Sequence, residues 1–192
     1  MSHNPLLIIE RPLGEEQLCG SPLLRDEDRS AAAALGCGRR RCEYLMWRLI
    51  VRRELGADVD IAYTESGRPL LVNRNEYIGV SHNDDFVAVV VSPHRCAVDI
   101  ERLDRNFSRV AERYISPRES ELSDDPRLAA ALWCAKETLY KYADAEGADF
   151  LRDIVVERVD FGAGIVAGRV RGGDMVEMRM FEREGSLVVY VG

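Results

Sequence analysis

Apolar residues recur along this chain with two periods, one typical of strands and one typical of helices. Short runs rich in β-branched residues and bounded by turn-forming residues predict strands at 6–9, 60–63, 70–72, 77–81, 86–91, 96–101, 154–159, 165–170, 176–181 and 187–191. Apolar residues at helical spacing predict helices at 15–19, 22–35, 39–55 and 107–115, and a long helix that ends near Tyr142. Ser116-Pro117 and Asp125-Pro126 are helix-start signals.

The order of these elements repeats. Strand, helices and strands occur once before Ser92-Pro93 and once after it, near the middle of the chain. The repeat predicts an α+β fold of two similar α/β lobes related by a pseudo-twofold axis, with a cleft between them. The predicted N-terminal lobe is 1–93 and the predicted C-terminal lobe is 94–192. Two lobes in one chain favour a monomer.

Composition places the chain among globular proteins, with 192 residues, 46% hydrophobic and 31% charged. It contains no apolar run of about 18 residues, so no transmembrane helix is expected, and the run at 5–9 is too short for a signal peptide. The five cysteines include no C-x-x-C pair, which favours reduced thiols and a cytoplasmic location over disulfides or a zinc site. A net charge of −7 argues against nonspecific nucleic-acid binding.

The stretch 96–102 predicts a buried strand that ends in acidic residues. Val98 and Ile100 are β-branched and suit a packed sheet. Asp99 and Glu101 are two residues apart, so both carboxylates point to the same face of a strand. Mg²⁺ would relieve their repulsion because it prefers oxygen ligands. For the pair alone, two solvated acids at a strand end are the more common arrangement, so a metal site depends on the rest of the chain.

The long predicted helix carries further polar candidates. Trp133, Glu137 and Lys141 are spaced four apart and share a helix face. The tryptophan indicates that this face is partly buried, where a carboxylate and an ammonium group need partners such as a metal and a phosphate. A plain surface ion pair is the alternative. His82 directly follows a predicted strand, where the chain turns, and a lone histidine there is more often structural than functional.

Arginines are dense in the predicted helix 39–55, which carries Arg39, Arg40, Arg41, Arg48, Arg52 and Arg53. Positive charge at a helix N-terminus opposes the helix dipole, so the first three are better tolerated if an anion binds nearby. An ordinary solvated helix face is the alternative. The cluster is the part of an otherwise acidic chain that could hold a phosphorylated ligand or an acidic partner.

Four motifs together resemble the phosphopantetheinyl transferases of the surfactin-synthetase-activating type. Members of that family show Gly-Lys-Pro, Ser-His, Gly-Ile-Asp-Ile-Glu and Trp-x-x-Lys-Glu-x-x-x-Lys in this order and at similar separations. The corresponding stretches here are Gly67-Arg68-Pro69, Ser81-His82, Val98-Asp99-Ile100-Glu101 and Trp133-Cys-Ala-Lys136-Glu137-Thr-Leu-Tyr-Lys141. Arg68 replaces the usual lysine, which keeps the charge but changes its geometry. Ala97 replaces the glycine before Val98.

The resemblance implies an enzyme that moves 4′-phosphopantetheine from coenzyme A to a serine hydroxyl of an apo acyl or peptidyl carrier protein, releasing adenosine 3′,5′-bisphosphate. It implies that Asp99, Glu101 and Glu137 hold Mg²⁺. It also implies that His82 and Lys141 contact the pyrophosphate of coenzyme A. Glu137, or a water held by the metal, is the natural base for the serine proton. No covalent enzyme intermediate is expected.

The remaining coenzyme contacts also follow from the resemblance. Arg68 and Ser81 would flank the nucleotide, and Lys136 is a weaker candidate for the pyrophosphate. An arginine among 39–41, Arg40 or Arg41, would bind the 3′-phosphate. Arg48 and Arg52 are expected to face outward, where they would contact or steer the carrier protein, although an ordinary solvated role for both is equally compatible with the pattern.

Two other functions use the same residues. A catalytically silent paralogue could bind coenzyme A or a carrier domain, and a metal phosphohydrolase could use the same carboxylates. The intact acidic triplet favours the transferase over the silent paralogue, because a silent copy is expected to lose metal ligands first.

Overall fold

The computed structural model describes residues 4–192, so residues 1–3 of the predicted N-terminal lobe lie outside the described part. The strands are β1 (Leu6–Glu10), β2 (Ile61–Tyr63), β3 (Pro69–Leu71), β4 (Tyr77–His82), β5 (Val87–Ser92), β6 (Ala97–Arg102), β7 (Ile154–Asp160), β8 (Ile165–Val170), β9 (Val176–Arg183) and β10 (Ser186–Val191). The α-helices are α1 (Glu15–Cys19), α2 (Asp26–Ala33), α3 (Gly38–Leu55), α4 (Pro117–Ser120) and α5 (Leu128–Ala143). Among these helices none is long and apolar enough to cross a membrane.

The predicted strands are confirmed to within a residue or two, and the helices differ in three places. Helix α2 begins at Asp26 rather than at residue 22, because the Asp28 carboxylate accepts a hydrogen bond from the Arg25 backbone at 2.9 Å and caps the helix there. The predicted helix at 107–115 is a 3₁₀ segment, Ser108–Arg113. The start signal at Ser116 gives only the single turn of α4, and the long helix begins later, at Leu128.

Strand pairing produces three antiparallel sheets in a mixed α+β fold. The first has the order β1-β5-β4, the second β6-β10-β9-β8-β7, and β2 pairs with β3 as a small hairpin. In the first sheet, β5 lies between β1 and β4, and in the second sheet, β10 lies between β6 and β9. In each half of the chain the last strand therefore pairs with the first strand and with the strand that precedes it in sequence. The shared order β1-β5-β4 and β6-β10-β9 agrees with a repeat, while the pseudo-twofold relation and the lobe boundaries stay predictions.

Three apolar clusters form the interior. The first lies between α3 and the three-stranded sheet, and the second lies between α5 and the five-stranded sheet. The third joins the two large sheets and includes Val90 of β5, Val98 and Ile100 of β6, and Val188 of β10. Since alternate residues of a strand face opposite sides, β6 packs its valine and isoleucine on the first sheet and turns Asp99 and Glu101 towards α5.

Gly79 of β4 sets the distance between the two large sheets. A Cβ at this position would lie 2.8 Å from the Ala97 Cα in β6 and 2.9 Å from the Val90 Cγ1. We expect Gly79→Ala to lower the free energy of unfolding by about 1–3 kcal/mol, because the added methyl group must push the strands apart. Denaturant unfolding measures this. In Gly36→Ala, the control, the new Cβ meets nothing within 4 Å, and equal stability of the two variants would contradict the prediction.

The arginines of α3 do not form the solvated face expected from the sequence. Arg48 and Arg52 are buried, at 2% and 3% exposure, and both pair with Asp28 of α2. The Arg48 guanidinium also lies over the Tyr44 ring, 3.3 Å from its centroid, and donates to the Tyr63 hydroxyl of β2. Buried charges are tolerated when they are paired and hydrogen-bonded. The prediction that these two arginines face outward is therefore wrong.

Candidate active site

Three elements bring Ser81, Asp99 and Lys141 into direct contact. Ser81 lies near the C-terminal end of β4, Asp99 lies in β6, and Lys141 lies in the last turn of α5. The Asp99 Oδ1 atom accepts hydrogen bonds from the Ser81 hydroxyl at 2.9 Å and from the Lys141 Nζ at 2.7 Å. Lys141 also donates to the Val98 carbonyl at 3.2 Å. The three side chains are 18 to 60 positions apart in sequence and form one polar contact in the fold.

The second oxygen of Asp99 is buried and has no hydrogen-bond partner among the described residues. An unpartnered buried carboxylate oxygen is unfavourable, since it has lost water without gaining a donor. The oxygen is therefore suited to bind a cation.

Glu101 and Glu137 complete an acidic cluster around Asp99. Burial and then the Asp99 charge raise the pKa of Glu101, although Arg105 opposes this. Burial, followed by the Asp99 charge, raises the pKa of Glu137 to about 7. Carboxyl groups that raise one another's pKa are close enough to repel, so the cluster favours a positive partner.

These residues fit a Mg²⁺ ion in their chemistry. A hard divalent cation would satisfy the free Asp99 oxygen and relieve the repulsion among the three carboxylates. As the side chains stand, no three His, Cys, Asp or Glu residues within 4–192 are grouped closely enough to hold an ion. The Glu101 Oε1 is turned to the Trp133 indole nitrogen at 2.9 Å and pairs with Arg105. Binding a metal would thus require Glu101 to turn.

His82 lies at the end of β4, and its ring is nearly half exposed. The ring Nδ1 is 3.3 Å from the Glu43 carboxylate, which also pairs with Arg39 at 2.7 Å. Partial burial lowers the pKa of His82, and the Lys141 and Arg39 charges add to this while Glu43 opposes it. The histidine is therefore expected to be neutral at pH 7.

Two cavities lie beside the acidic cluster, one lined by Lys141, the partner of Asp99, and the other by Glu101 itself. The smaller, of about 240 Å³, is lined by Arg68, Gly79, Ala97 and Lys141 among others. The larger, of about 610 Å³, lies open to solvent, and its lining residues are Arg39, His82, Asn83, Asp84, Glu101, Arg102, Asp104 and Arg105. Both are lined by residues of each large sheet, so a ligand in either one would contact both halves of the chain.

Arg68 enters the smaller cavity from the turn between β2 and β3. Gly67 has φ +84°, a conformation that favours glycine, and the Arg68 backbone donates to the Thr64 hydroxyl at 3.0 Å. Ser66 and Asp144 line the same cavity, where the Ser66 hydroxyl donates to Asp144, the residue that caps the C-terminus of α5, at 2.7 Å. The turn thus places Arg68 in the lining of the same cavity as Lys141.

The two arginines chosen from the sequence for the 3′-phosphate are not the ones that line these cavities. Arg41 forms a bidentate ion pair with Glu15, with N···O distances of 2.6 and 2.9 Å, and Arg40 is exposed on α3. Arg39 lines the larger cavity with His82. The sequence prediction was an arginine within 39–41, and of these three only Arg39 lines either of the two cavities.

Lys136 is separated from the other predicted site residues. Its side chain is fully buried, and its Nζ pairs with Glu119 at 2.7 Å and donates to the Phe150 carbonyl at 2.8 Å. Glu119 in turn accepts from the Val156 backbone at 2.9 Å. The contacts of Lys136 thus join α4 and β7 to α5, and the geometry gives no support to a role in binding pyrophosphate.

Arg105 is a neighbour of the site that the sequence reading left out. Its guanidinium pairs with Glu101 and lies over the Trp133 ring, 4.9 Å from the ring centroid. The sequence gave no signal for it, because Arg105 lies between two predicted elements and outside the four motifs.

Residues 95–174 match the family model of the 4′-phosphopantetheinyl transferase superfamily. The matched segment contains Asp99, Glu101, Glu137 and Lys141, whereas Ser81 and His82 precede it. No curated protein matches this chain.

Proposed function

We propose that this chain, whose residues 95–174 match the family model of the 4′-phosphopantetheinyl transferase superfamily, transfers 4′-phosphopantetheine from coenzyme A to a serine hydroxyl of an apo acyl or peptidyl carrier protein. Adenosine 3′,5′-bisphosphate is the second product. The observation that carries the proposal is the contact of Ser81, Asp99 and Lys141, which brings three separate motifs together beside a buried carboxylate oxygen without a partner.

Asp99, Glu101 and Glu137 are the residues that would hold Mg²⁺. The ion, when bound, supplies charge neutralisation for the phosphoryl oxygens and for the leaving group. Lys141 keeps the Asp99 carboxylate oriented through its 2.7 Å bond and places a second positive charge at the same point. The Ser81 hydroxyl, on β4 of the other large sheet, donates a second hydrogen bond to the same carboxylate.

Cationic and neutral donors around the cavities suit the phosphates of coenzyme A. His82 and Arg39 line the larger cavity, and Arg68 and Lys141 line the smaller one. A neutral imidazole can donate one hydrogen bond to a phosphate oxygen, and a guanidinium group can donate two. These residues bind and orient the coenzyme between the two halves of the chain.

We assign Glu137, or a water held by the metal, as the base for the carrier serine. Without the ion, burial and the Asp99 charge raise the pKa of Glu137 to about 7, whereas a bound cation would lower that pKa, so the carboxylate would be deprotonated and able to accept a proton at neutral pH. Cys134, on the same helix, is fully buried, and burial raises its pKa well above the usual range. It therefore stays a thiol, in agreement with direct transfer without a covalent enzyme intermediate.

The proposal is tested by incubating the protein with coenzyme A, Mg²⁺ and a panel of apo carrier proteins, followed by mass spectrometry of each carrier. We expect at least one carrier to gain a phosphopantetheine group, with bisphosphate released only when carrier is present. Release without carrier would indicate a phosphohydrolase, and binding of coenzyme A without any release would indicate a silent paralogue.

Because Arg48 and Arg52 are buried, carrier docking needs other cations. Arg109 and Arg113 of the 3₁₀ segment are exposed, and neither forms an ion pair within the described residues. We expect Arg109→Glu with Arg113→Glu to raise the KM for carrier about tenfold at low salt, because charge reversal weakens long-range attraction of an acidic partner. The KM for coenzyme A should stay constant.

Steady-state kinetics at two salt concentrations measure this effect. Arg179→Glu, an exposed arginine of β9, is the matched control and should leave both constants near those of the unmodified protein. If the double variant keeps its KM for carrier at low ionic strength, the carrier docks elsewhere.

A further inference from the structure

We propose that Arg105 is an exchangeable counterion of Glu101, which competes with Mg²⁺ and thereby sets the affinity of the acidic cluster for the metal. The inference rests on the proposed function, since it concerns the metal site assigned there. It adds a residue outside the ligand set and outside the four motifs.

The contacts of Glu101 show what the metal has to displace. The Oε1 atom accepts from the Trp133 indole nitrogen at 2.9 Å and pairs with the Arg105 guanidinium. The Arg105 guanidinium also contacts two aromatic rings, with centroid distances of 4.9 Å to Trp133 and 5.3 Å to Phe107. Glu101 is therefore turned to these donors rather than to Asp99 and Glu137.

The charges of the cluster show why an exchange is needed. Asp99 is paired with Lys141 and Glu101 with Arg105, while Glu137 forms no ion pair within the described residues. A divalent cation bound among these carboxylates would be repelled by both existing cations. One of them has to move away from its carboxylate before three carboxylates can share one ion.

Arg105 is the cation that is free to move. Lys141 is held by three acceptors, Asp99 at 2.7 Å, the Val98 carbonyl at 3.2 Å and Ser81 at 3.3 Å. Arg105 lies in the turn after β6, its side chain is 42% exposed, and it lines the open cavity of about 610 Å³. Its guanidinium can leave Glu101 for solvent, or for a phosphate in that cavity, because an ion pair this exposed contributes little and water replaces the lost contact.

The test measures metal binding directly. Mn²⁺ replaces Mg²⁺, and the free ion is followed by electron paramagnetic resonance, with and without saturating coenzyme A. In a Trp47→Phe background, Trp133 fluorescence gives a second signal, because withdrawal of Glu101 from the indole N–H changes the surroundings of the ring. The variants are Arg105→Gln, which removes the charge, and Arg105→Lys, which keeps it. Thermal unfolding of each variant reports any loss of stability.

Arg102→Gln is the matched control. It removes the same charge from the lining of the same cavity, but Arg102 pairs with Asp85 and Asp104 instead of the acidic cluster. We expect Arg105→Gln to bind Mn²⁺ about fivefold more tightly, the factor that corresponds to loss of one partly exposed ion pair. Arg105→Lys should lie between Arg105→Gln and the unmodified protein, and Arg102→Gln should match the unmodified protein.

The outcomes distinguish failure of the Arg105 exchange from failure of the proposed metal site. If the unmodified protein binds Mn²⁺ and Arg105→Gln binds it equally or more weakly, the exchange is overturned while the metal site stands. An equal gain in Arg102→Gln would also overturn it, since any nearby positive charge would then suffice. If no variant binds the ion in either condition, both the metal assignment and the exchange are overturned.

Discussion

Asp99→Asn is expected to lower kcat for carrier modification by about 10³-fold at saturating Mg²⁺, a loss typical of removing one electrostatic contact to a transition state. Asparagine keeps an oxygen that can accept from Ser81 and Lys141, so that half of the contact is preserved. The amide nitrogen takes the place of the buried oxygen that has no partner. The substitution therefore removes the metal-binding atom and the negative charge with the least change in shape.

Coupled measurement of bisphosphate release gives kcat, and circular dichroism checks the fold. Asp104→Asn is the control, because Asp104 is an exposed acid five residues further along that pairs with Arg102. The harsher Asp99→Ala should be at least as inactive as Asp99→Asn. Near-normal turnover of either Asp99 variant would remove Asp99 from the ligand set.

Lys136→Met should lower the free energy of unfolding by about 3–5 kcal/mol, the usual cost of leaving one charge of a buried pair uncompensated. Lys136 and Glu119 are 0% and 1% exposed in their side chains, so water cannot replace the missing ammonium group. Methionine fills a similar volume, which separates loss of charge from loss of packing. Chemical denaturation provides the measurement.

Adding Glu119→Gln to Lys136→Met should recover part of the lost stability, because the uncompensated carboxylate is then neutral and can still accept from the Val156 backbone. The KM for coenzyme A of the folded variant should stay close to that of the unmodified protein. A raised KM for coenzyme A with unchanged stability would restore Lys136 to the pyrophosphate site and contradict the structural role.

The sequence was most informative where one element carries its own pattern. Alternation along β6 predicted that Asp99 and Glu101 share a face, and their contacts to Lys141 and Trp133 of α5 confirm it. The motifs predicted the superfamily, and two of the four, Val98–Glu101 and Trp133–Lys141, lie within residues 95–174, which match its family model. Both results depend on spacing within a short stretch, which a single chain displays directly.

Partners from distant elements could not be predicted in the same way. Arg52 is buried because Asp28, 24 residues earlier, lies against it, and no local pattern announces that pair. For Lys136 a signal was present, since the buried residues Leu132 and Leu139 precede and follow it at core spacing. The motif matched Lys136 only by its residue type, whereas the helical period indicated that its side chain points into the core.

The position of β10 in the five-stranded sheet has a consequence for biosynthesis. This strand, Ser186–Val191, lies between β6 and β9, and its Val188 also belongs to the cluster that joins the two large sheets. Until the ribosome has made β10, β6 has no partner in its own sheet, and the apolar face that carries Val98 and Ile100 stays incompletely covered. Unpaired edges and exposed apolar surface favour aggregation, so the nascent chain is most vulnerable until residue 191 has emerged and the sheet can close.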